Sequence, residues 1–270
     1  MTRLSLPIIL CAIIVACSSE RKPEELRDKE KPTQILQTES TVTSNGFKVL
    51  RRYPHDVKAF TQGLEVYDGL FVESTGQNGL SSIRRVEIGS GKVKKVEDLD
   101  DAFFGEGATV LKGKIYMLTW LNQMGFVFDA QTLKSVGKFS YAGEGWGLTN
   151  DGTRLIMSNG SSILNVIDPN SYRVVRSISV TMNGSPVTRL NELEWVDGEI
   201  WANIWQSEQI VRIDPASGRV NGVIDLTGIL PDSARDANTD VLNGIAFDSA
   251  TKAIYVTGKN WPYVFQISLQ

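Results

Sequence analysis

Leu190-Asn191-Glu192-Leu193-Glu194-Trp195-Val196-Asp197-Gly198-Glu199-Ile200-Trp201-Ala202-Asn203-Ile204-Trp205 reads as two short strands joined at Asp197-Gly198. An Asp-Gly pair between two such runs is a strong hairpin signal, because both turn residues must take positive φ. The same pattern occurs elsewhere in the chain. Phe60-Thr61-Gln62-Gly63-Leu64-Glu65-Val66 turns at Asp68-Gly69 into Leu70 to Gly76. Gly105-Glu106-Gly107-Ala108-Thr109-Val110 turns at Lys112-Gly113-Lys114 into Ile115 to Trp120. Gly145-Trp146-Gly147-Leu148-Thr149 turns at Asn150-Asp151-Gly152 into Leu155 to Asn159. Leu242-Asn243-Gly244-Ile245-Ala246-Phe247 leads to Ile254 to Lys259.

Two more strands follow most of these hairpins: Ile83 to Ile88, Gly125 to Asp129, Ile163 to Asp168 and Ile210 to Asp214 are visible members. Four strands per unit make a propeller blade. The matched positions Gln62, Glu106, Trp146, Asn191 and Asn243 are spaced by 44, 40, 45 and 52 residues, close to blade periods of ~40–50 residues. After Lys259 only one strand, Val264 to Leu269, remains. The fifth unit is one strand short, and Lys48 to Tyr53 is available to fill the gap. The expected fold is therefore all-β: a five-bladed β-propeller of four-stranded antiparallel blades, with the ring closed by the N-terminal strand, which removes an exposed sheet edge.

The amino terminus reads differently. Arg3 followed by the apolar run Leu4 to Ala16 resembles a signal segment, too short for the ~20 residues of a membrane span. Ile14-Val15-Ala16-Cys17 resembles a bacterial lipobox, which would make Cys17 a lipidation site and residues 1–17 a lipoprotein signal; an ordinary signal peptide with a chance cysteine is the plainer alternative. Ser18 rather than Asp after the cysteine points to the periplasmic side of the outer membrane. Residues 18–45, charged from Glu20 to Lys31 and Ser/Thr-rich to Asn45, carry too few apolar side chains for a core and read as a flexible linker. The domain expected to fold is 46–270.

Composition narrows the chemistry. A net charge of −3 offers no basic face for nucleic acid. The one histidine, His55, makes a His-rich zinc or iron site a poor fit. Both cysteines, Cys11 and Cys17, lie in the leader, so the domain is expected to have no disulfide, thiolate metal site or cysteine nucleophile. Nothing in the sequence calls for a second subunit, and a monomer is expected.

The first strand of a blade lines the central channel, so its mouth-facing residues converge from five directions: Gln62, Glu106, Trp146, Asn191 and Asn243. The second strands end nearby with Trp120, Trp205 and Lys259 at equivalent positions. Matched core positions carry apolar residues instead (Leu64, Val110, Leu148, Leu193 and Ile245), and Trp195 and Trp201 are read as packing.

Against that repeat frame, Phe60-Thr61-Gln62-Gly63-Leu64, Phe104-Gly105-Glu106-Gly107, Leu118-Thr119-Trp120, Glu144-Gly145-Trp146-Gly147-Leu148, Leu190-Asn191-Glu192-Leu193-Glu194, Ala202-Asn203-Ile204-Trp205 and Thr257-Gly258-Lys259 together resemble the plant and bacterial glutaminyl-peptide cyclotransferases. That family consists of five-bladed propellers unrelated to the zinc-dependent animal enzyme. The resemblance runs from about Gly46 to Gln270. It implies a cofactor- and metal-free transferase that closes the amino-terminal glutamine of peptides or proteins to pyroglutamate with loss of ammonia. Its site residues carry over onto Phe60, Gln62, Glu106, Trp120, Trp146, Asn191, Trp205 and Lys259. Glu106, Lys259, Gln62 and Asn191 are then expected to be catalytic. Phe60, Trp120, Trp146, Trp205 and, by repeat position, Asn243 are expected to bind substrate. Two other readings compete: a metal-dependent lactonase-like propeller, which would want several carboxylates in the channel, and a non-catalytic peptide- or protein-binding propeller.

Overall fold

Each of the five sequence units folds as a four-stranded antiparallel sheet in the computed structural model, which describes residues 43–270. The chain enters through β1 (Thr43–Asn45) and β2 (Phe47–Pro54). Blade one is β3 (Thr61–Tyr67), β4 (Leu70–Thr75), β5 (Ser82–Glu87) and β6 (Val93–Asp98). Blade two is β7 (Gly105–Leu111), β8 (Lys114–Thr119), β9 (Met124–Asp129) and β10 (Ser135–Ser140). Blade three is β11 (Leu148–Asn150), β12 (Leu155–Met157), β13 (Ile163–Ile167) and β14 (Val174–Ser179). A small hairpin, β15 (Thr181–Met182) and β16 (Ser185–Pro186), precedes blade four: β17 (Leu190–Val196), β18 (Glu199–Ile204), β19 (Gln209–Ile213) and β20 (Val220–Asp225). Blade five is β21 (Leu242–Asp248), β22 (Ala253–Gly258) and β23 (Tyr263–Leu269), completed by β2.

The ring closes as the strand count requires. β2 runs antiparallel to β23 from Phe47 opposite Leu269 to Pro54 opposite Tyr263. β1 was not foreseen: it falls within the stretch read as linker and adds in parallel to the outer edge of β20, pairing Thr43 with Gly222 and Asn45 with Ile224. It covers an edge that would otherwise offer free backbone donors and acceptors. The signal segment, Cys17 and most of the linker lie outside the described residues.

Burial falls from the channel outward. β7 is buried along its whole length, whereas the outermost β6 is exposed at all but its first residue. Each of the five apolar clusters belongs to one pair of neighbouring blades. Side-chain alternation assigns them: Phe71 packs with Tyr255 and Val264 of blade five, and the next residue, Val72, packs with Val110 and Met117 of blade two. Leu64, Val110, Leu148, Leu193 and Ile245 are buried in these clusters, as is Trp201, while Trp195 packs against one of them.

The turns follow the sequence with one exception. Asp68-Gly69 (φ 51° and 69°), Lys112-Gly113 (52° and 76°) and Asp197-Gly198 (47° and 91°) have positive φ at both positions. At Asn150-Asp151-Gly152 only Gly152 is positive. There the strands stop at Asn150 and Leu155, and the longer loop is held by Asp151 Oδ1 accepting the N–H groups of Thr153 and Arg154.

Channel carboxylates fasten the blades to one another. Glu192 accepts the Leu64 N–H with one oxygen (3.2 Å) and the Ile245 N–H with the other (2.9 Å), tying blade four to blades one and five. Glu194 accepts from Phe247 N (2.8 Å), and Glu65 from Val110 N (2.8 Å) and Thr109 Oγ1 (2.7 Å).

Candidate active site

In four of the five blades the first strand is bulged at its mouth end, and the bulged residues are the matched polar positions. The register slips between Thr61 and Gly63, between Gly105 and Ala108, between Leu190 and Leu193, and between Leu242 and Ile245. Gln62, Glu106, Asn191 and Asn243 sit in those slips. A bulge leaves a residue out of the ladder and re-aims its side chain, which is how a channel-lining strand turns a polar residue toward the mouth. Blade three reaches the same result without a strand there: Trp146 precedes β11 and donates its backbone N–H to Ser158 O. Glycine next to these positions lets blades approach: a Cβ on Gly107 would meet Leu148 N at 2.5 Å.

These elements enclose a cavity of about 350 Å³ lined by Phe60, Gln62, Phe104, Glu106, Trp120, Trp146, Asn191, Trp205 and Lys259, with Gln206, Asp240 and Val241 at one side. Every expected site residue lines it except Asn243. That side chain is fully buried behind the wall, its Nδ2 donating to Thr61 O (2.9 Å) and Gln62 Oε1 (3.3 Å). Its repeat position matches, but blades five and one pack so closely there that it meets the neighbouring strand instead of the cavity. Asn243 therefore contacts Gln62 and does not line the cavity.

Gln62 in turn donates from Nε2 to Glu106 Oε1 at 3.1 Å. The chain Asn243→Gln62→Glu106 fixes the Gln62 amide with its NH₂ toward the carboxylate. Glu106 is 5% exposed, and burial lifts its pKa well above the ordinary carboxylate range; the Lys259 ammonium opposes that shift and the Glu144 carboxylate adds to it. Lys259 is equally buried, and desolvation lowers its pKa against the pull of Glu106 and Asp240. Its Nζ lies 4.6 Å from the centre of the Phe60 ring.

The aromatic wall is a continuous belt. Phe60 meets Phe104 edge-on at 6.1 Å, Phe104 meets Trp120 at 5.7 Å, and Trp146 meets Trp205 at 5.6 Å. Glu144 bridges the two groups: its Oε2 accepts from Trp120 Nε1 (2.8 Å) and from Trp146 Nε1 (2.9 Å). Gly160, at φ 78°, makes room for the Trp146 ring, which a Cβ there would meet at 2.7 Å.

Sequence reasoning missed Phe104, Glu144, Gln206, Asp240 and Val241 as site residues. Phe104 and Glu144 stand inside quoted motifs but have no counterpart at the matched repeat positions. Gln206 follows Trp205 in a turn, and Asp240 and Val241 end the long connection from β20 to β21. That connection accounts for the longest repeat spacing, and a long connection is itself a signal for functional residues. Among the described residues, no three His, Cys, Asp or Glu side chains gather as a metal ligand set.

Residues 10–269 match the family model described as glutamine cyclotransferase. A relative from Arabidopsis thaliana, glutaminyl-peptide cyclotransferase, is 43% identical over 233 residues, covering 84% of this chain and 72% of the relative. The crystal structure of Myxococcus xanthus glutaminyl cyclase superposes with a TM-score of 0.79 at 35% identity, covering 85% of this chain and 98% of that one. The chain belongs to the glutamine cyclotransferase family.

Proposed function

We propose that this chain is a glutaminyl-peptide cyclotransferase, acting on peptides or proteins whose first residue is glutamine. The observation that carries the reading is Glu106: a buried carboxylate on the floor of an aromatic cavity, held by Gln62 and flanked by Lys259. The cavity is at the small end of the ~300–1,000 Å³ typical of ligand sites, suited to one folded side chain and its amine.

In the reaction the α-amine nitrogen attacks the γ-carboxamide carbon, and a five-membered lactam forms as the C–N bond to ammonia breaks. Ionised Glu106 takes a proton from the attacking amine and returns one to the departing nitrogen, ending as it began. A pKa raised by burial places this carboxylate nearer to the working pH, where a proton shuttle is most effective. Lys259 and Asn191 supply N–H donors for the tetrahedral oxygen, while Gln62 holds Glu106. The belt of Phe60, Phe104, Trp120, Trp146 and Trp205 excludes water and presses the flexible glutamine into a near-attack shape. The test is product analysis of Gln-Ala incubated with the chain: pyroglutamyl-Ala is expected, and unchanged Gln-Ala from a folded sample would refute the assignment.

The reading extends to metal independence. Indoles, amides and the two lining carboxylates Glu106 and Asp240 are a poor donor set for a hard or borderline cation; turnover surviving dialysis against EDTA is expected, and metal-restored loss would contradict it. It extends also to a monomeric lipoprotein attached through Cys17 to the periplasmic face of the outer membrane. The basic-then-apolar leader, the lipobox-like Ile14 to Cys17 and the charged stretch after it support that placement. Among the described residues no helix is long and apolar enough to cross a membrane. Palmitate labelling of the chain and its loss in Cys17→Ala check the anchor; labelling that persists in the variant would refute it.

A further inference from the structure

The aromatic belt is not a closed ring. It runs from Phe60 through Trp120 and Trp146 to Trp205 and is interrupted between Trp205 and Lys259, where the lining passes to Gln206, Asp240 and Val241. Those three residues also line a second, open depression of about 480 Å³, walled by Glu208, Arg235 and Thr239. The two spaces therefore join. The groove lies between the β18–β19 turn of blade four and the long connection 226–241 into blade five.

A substrate whose glutamine fills the cavity must lead its remaining residues out of it. We propose that this groove receives the residues following the amino-terminal glutamine, and that Asp240 makes it favour a basic over an acidic side chain next to the glutamine. The proposal rests on the cyclase reading. Within the groove the charges are unequal. Glu208 is held by Arg235 at 2.8 Å and by the Gly228 N–H at 2.9 Å, so that pair is internally balanced. Asp240 stands exposed at the junction of cavity and groove, its Oδ1 accepting the adjacent Val241 N–H at 2.6 Å, and it attracts the buried Lys259 ammonium from the groove side without an ion-pair contact. Its backbone is locked to the turn after β22: Asp240 N donates to Lys259 O (3.0 Å), and Asp240 O accepts from Trp261 Nε1 (2.8 Å). The carboxylate is thus held at a fixed place on the exit path.

The test compares kcat/KM of the full chain on Gln-Lys-Ala, Gln-Glu-Ala and Gln-Ala-Ala amides, in the parent, Asp240→Asn and Asp240→Lys. The parent should prefer Lys to Glu by about threefold to fivefold, the size expected of one partly exposed charge pair. Asp240→Asn should flatten that ratio and Asp240→Lys invert it, with added salt shrinking both effects. A role confined to folding would lower all three substrates together and leave the ratio unmoved. Turnover of Gln-Ala-Ala with equal rates on the Lys and Glu peptides, or a ratio indifferent to Asp240→Lys, overturns the groove and leaves the cyclase standing. A folded parent that releases ammonia from none of the three overturns both.

Discussion

Gln62 Nε2 donates a 3.1 Å hydrogen bond to Glu106 Oε1, and the two residues occupy equivalent bulges in adjacent blades. The bond links the first strands of two blades and holds the carboxylate in its buried place in the cavity.

That placement costs stability. Burial raises the Glu106 pKa above its value in the unfolded chain, so the folded state holds the proton more tightly, and the group's contribution falls as pH rises above the ordinary carboxylate range. Glu106→Gln keeps an acceptor for Gln62 and removes the charge. Its melting temperature should exceed the parent's by a few degrees at pH 8, with the gap closing toward pH 4. Thermal melts across that range check it, and a variant less stable at pH 8 would contradict it.

Glu144 should act on the pH profile as well as on geometry. Its charge helps hold the Glu106 pKa up, so Glu144→Gln should move the acid limb of kcat/KM to lower pH. Glu144→Ala leaves both indoles without their acceptor, at ~1 kcal/mol per lost bond, and should lower kcat/KM about tenfold or more, mainly through KM. An unmoved acid limb in Glu144→Gln would remove its electrostatic role.

Away from the cavity, His55 and Glu73 form a buried ion pair at 2.8 Å; His55 also bonds Trp261 O (2.7 Å), and Thr61 Oγ1 donates to Glu73 (2.8 Å). Burial alone would lower the His55 pKa, but Glu73, joined by the Trp261 carbonyl and Asp56, outweighs it and the net shift is upward; Glu73 is held below its usual range against its own desolvation by His55, with Arg84 and Thr61 adding to it. The His55 contribution is complete below pH 6.5 and lost as pH rises through its raised value. The Glu73 contribution is complete above pH 4.5 and lost as pH falls. Stability from the pair therefore peaks between these limits. Glu73→Ala should cost about 3–5 kcal/mol near pH 6, since it leaves a buried imidazolium unpaired. Urea unfolding at pH 4, 6 and 9 checks the size and the peak.

At the far end of the channel Glu65, raised by burial to about 7, lies near Glu194, also raised by burial and by Glu65 itself. Both shifts are upward, so both contributions decline as pH rises. Glu194→Gln preserves an acceptor for the Phe247 N–H and should raise the melting temperature at pH 8 without changing turnover. A lower melting temperature there would show that the carboxylate charge is needed.

The repeat made the fold legible, since hairpins at Asp68-Gly69, Lys112-Gly113 and Asp197-Gly198 recur at blade spacing and the missing fifth-blade strand points back to β2. Most of the cavity was legible by the same device: a residue at a matched position, such as Lys259 or Trp205, must face the mouth. What the repeat could not carry was anything outside its register. Glu144 matters through the orientation of two rings from different blades, and Asp240 lies in a connection with no counterpart in the other units. Asn243 shows the opposite failure, a matched position that close packing of blades one and five turns away from the cavity. His55 gave no hint of Glu73, because a single pair between a loop residue and a residue of β4 leaves no periodic trace.

The most direct measurement follows ammonia release from Gln-Ala by the parent and by Glu106→Gln, side by side in EDTA. The parent should release ammonia in step with a peptide mass loss of one ammonia, and the variant, folded, should be slower by roughly 10²–10⁴-fold, the range for losing a general acid–base. A folded variant within a few-fold of the parent would take proton transfer away from Glu106 and contradict the account.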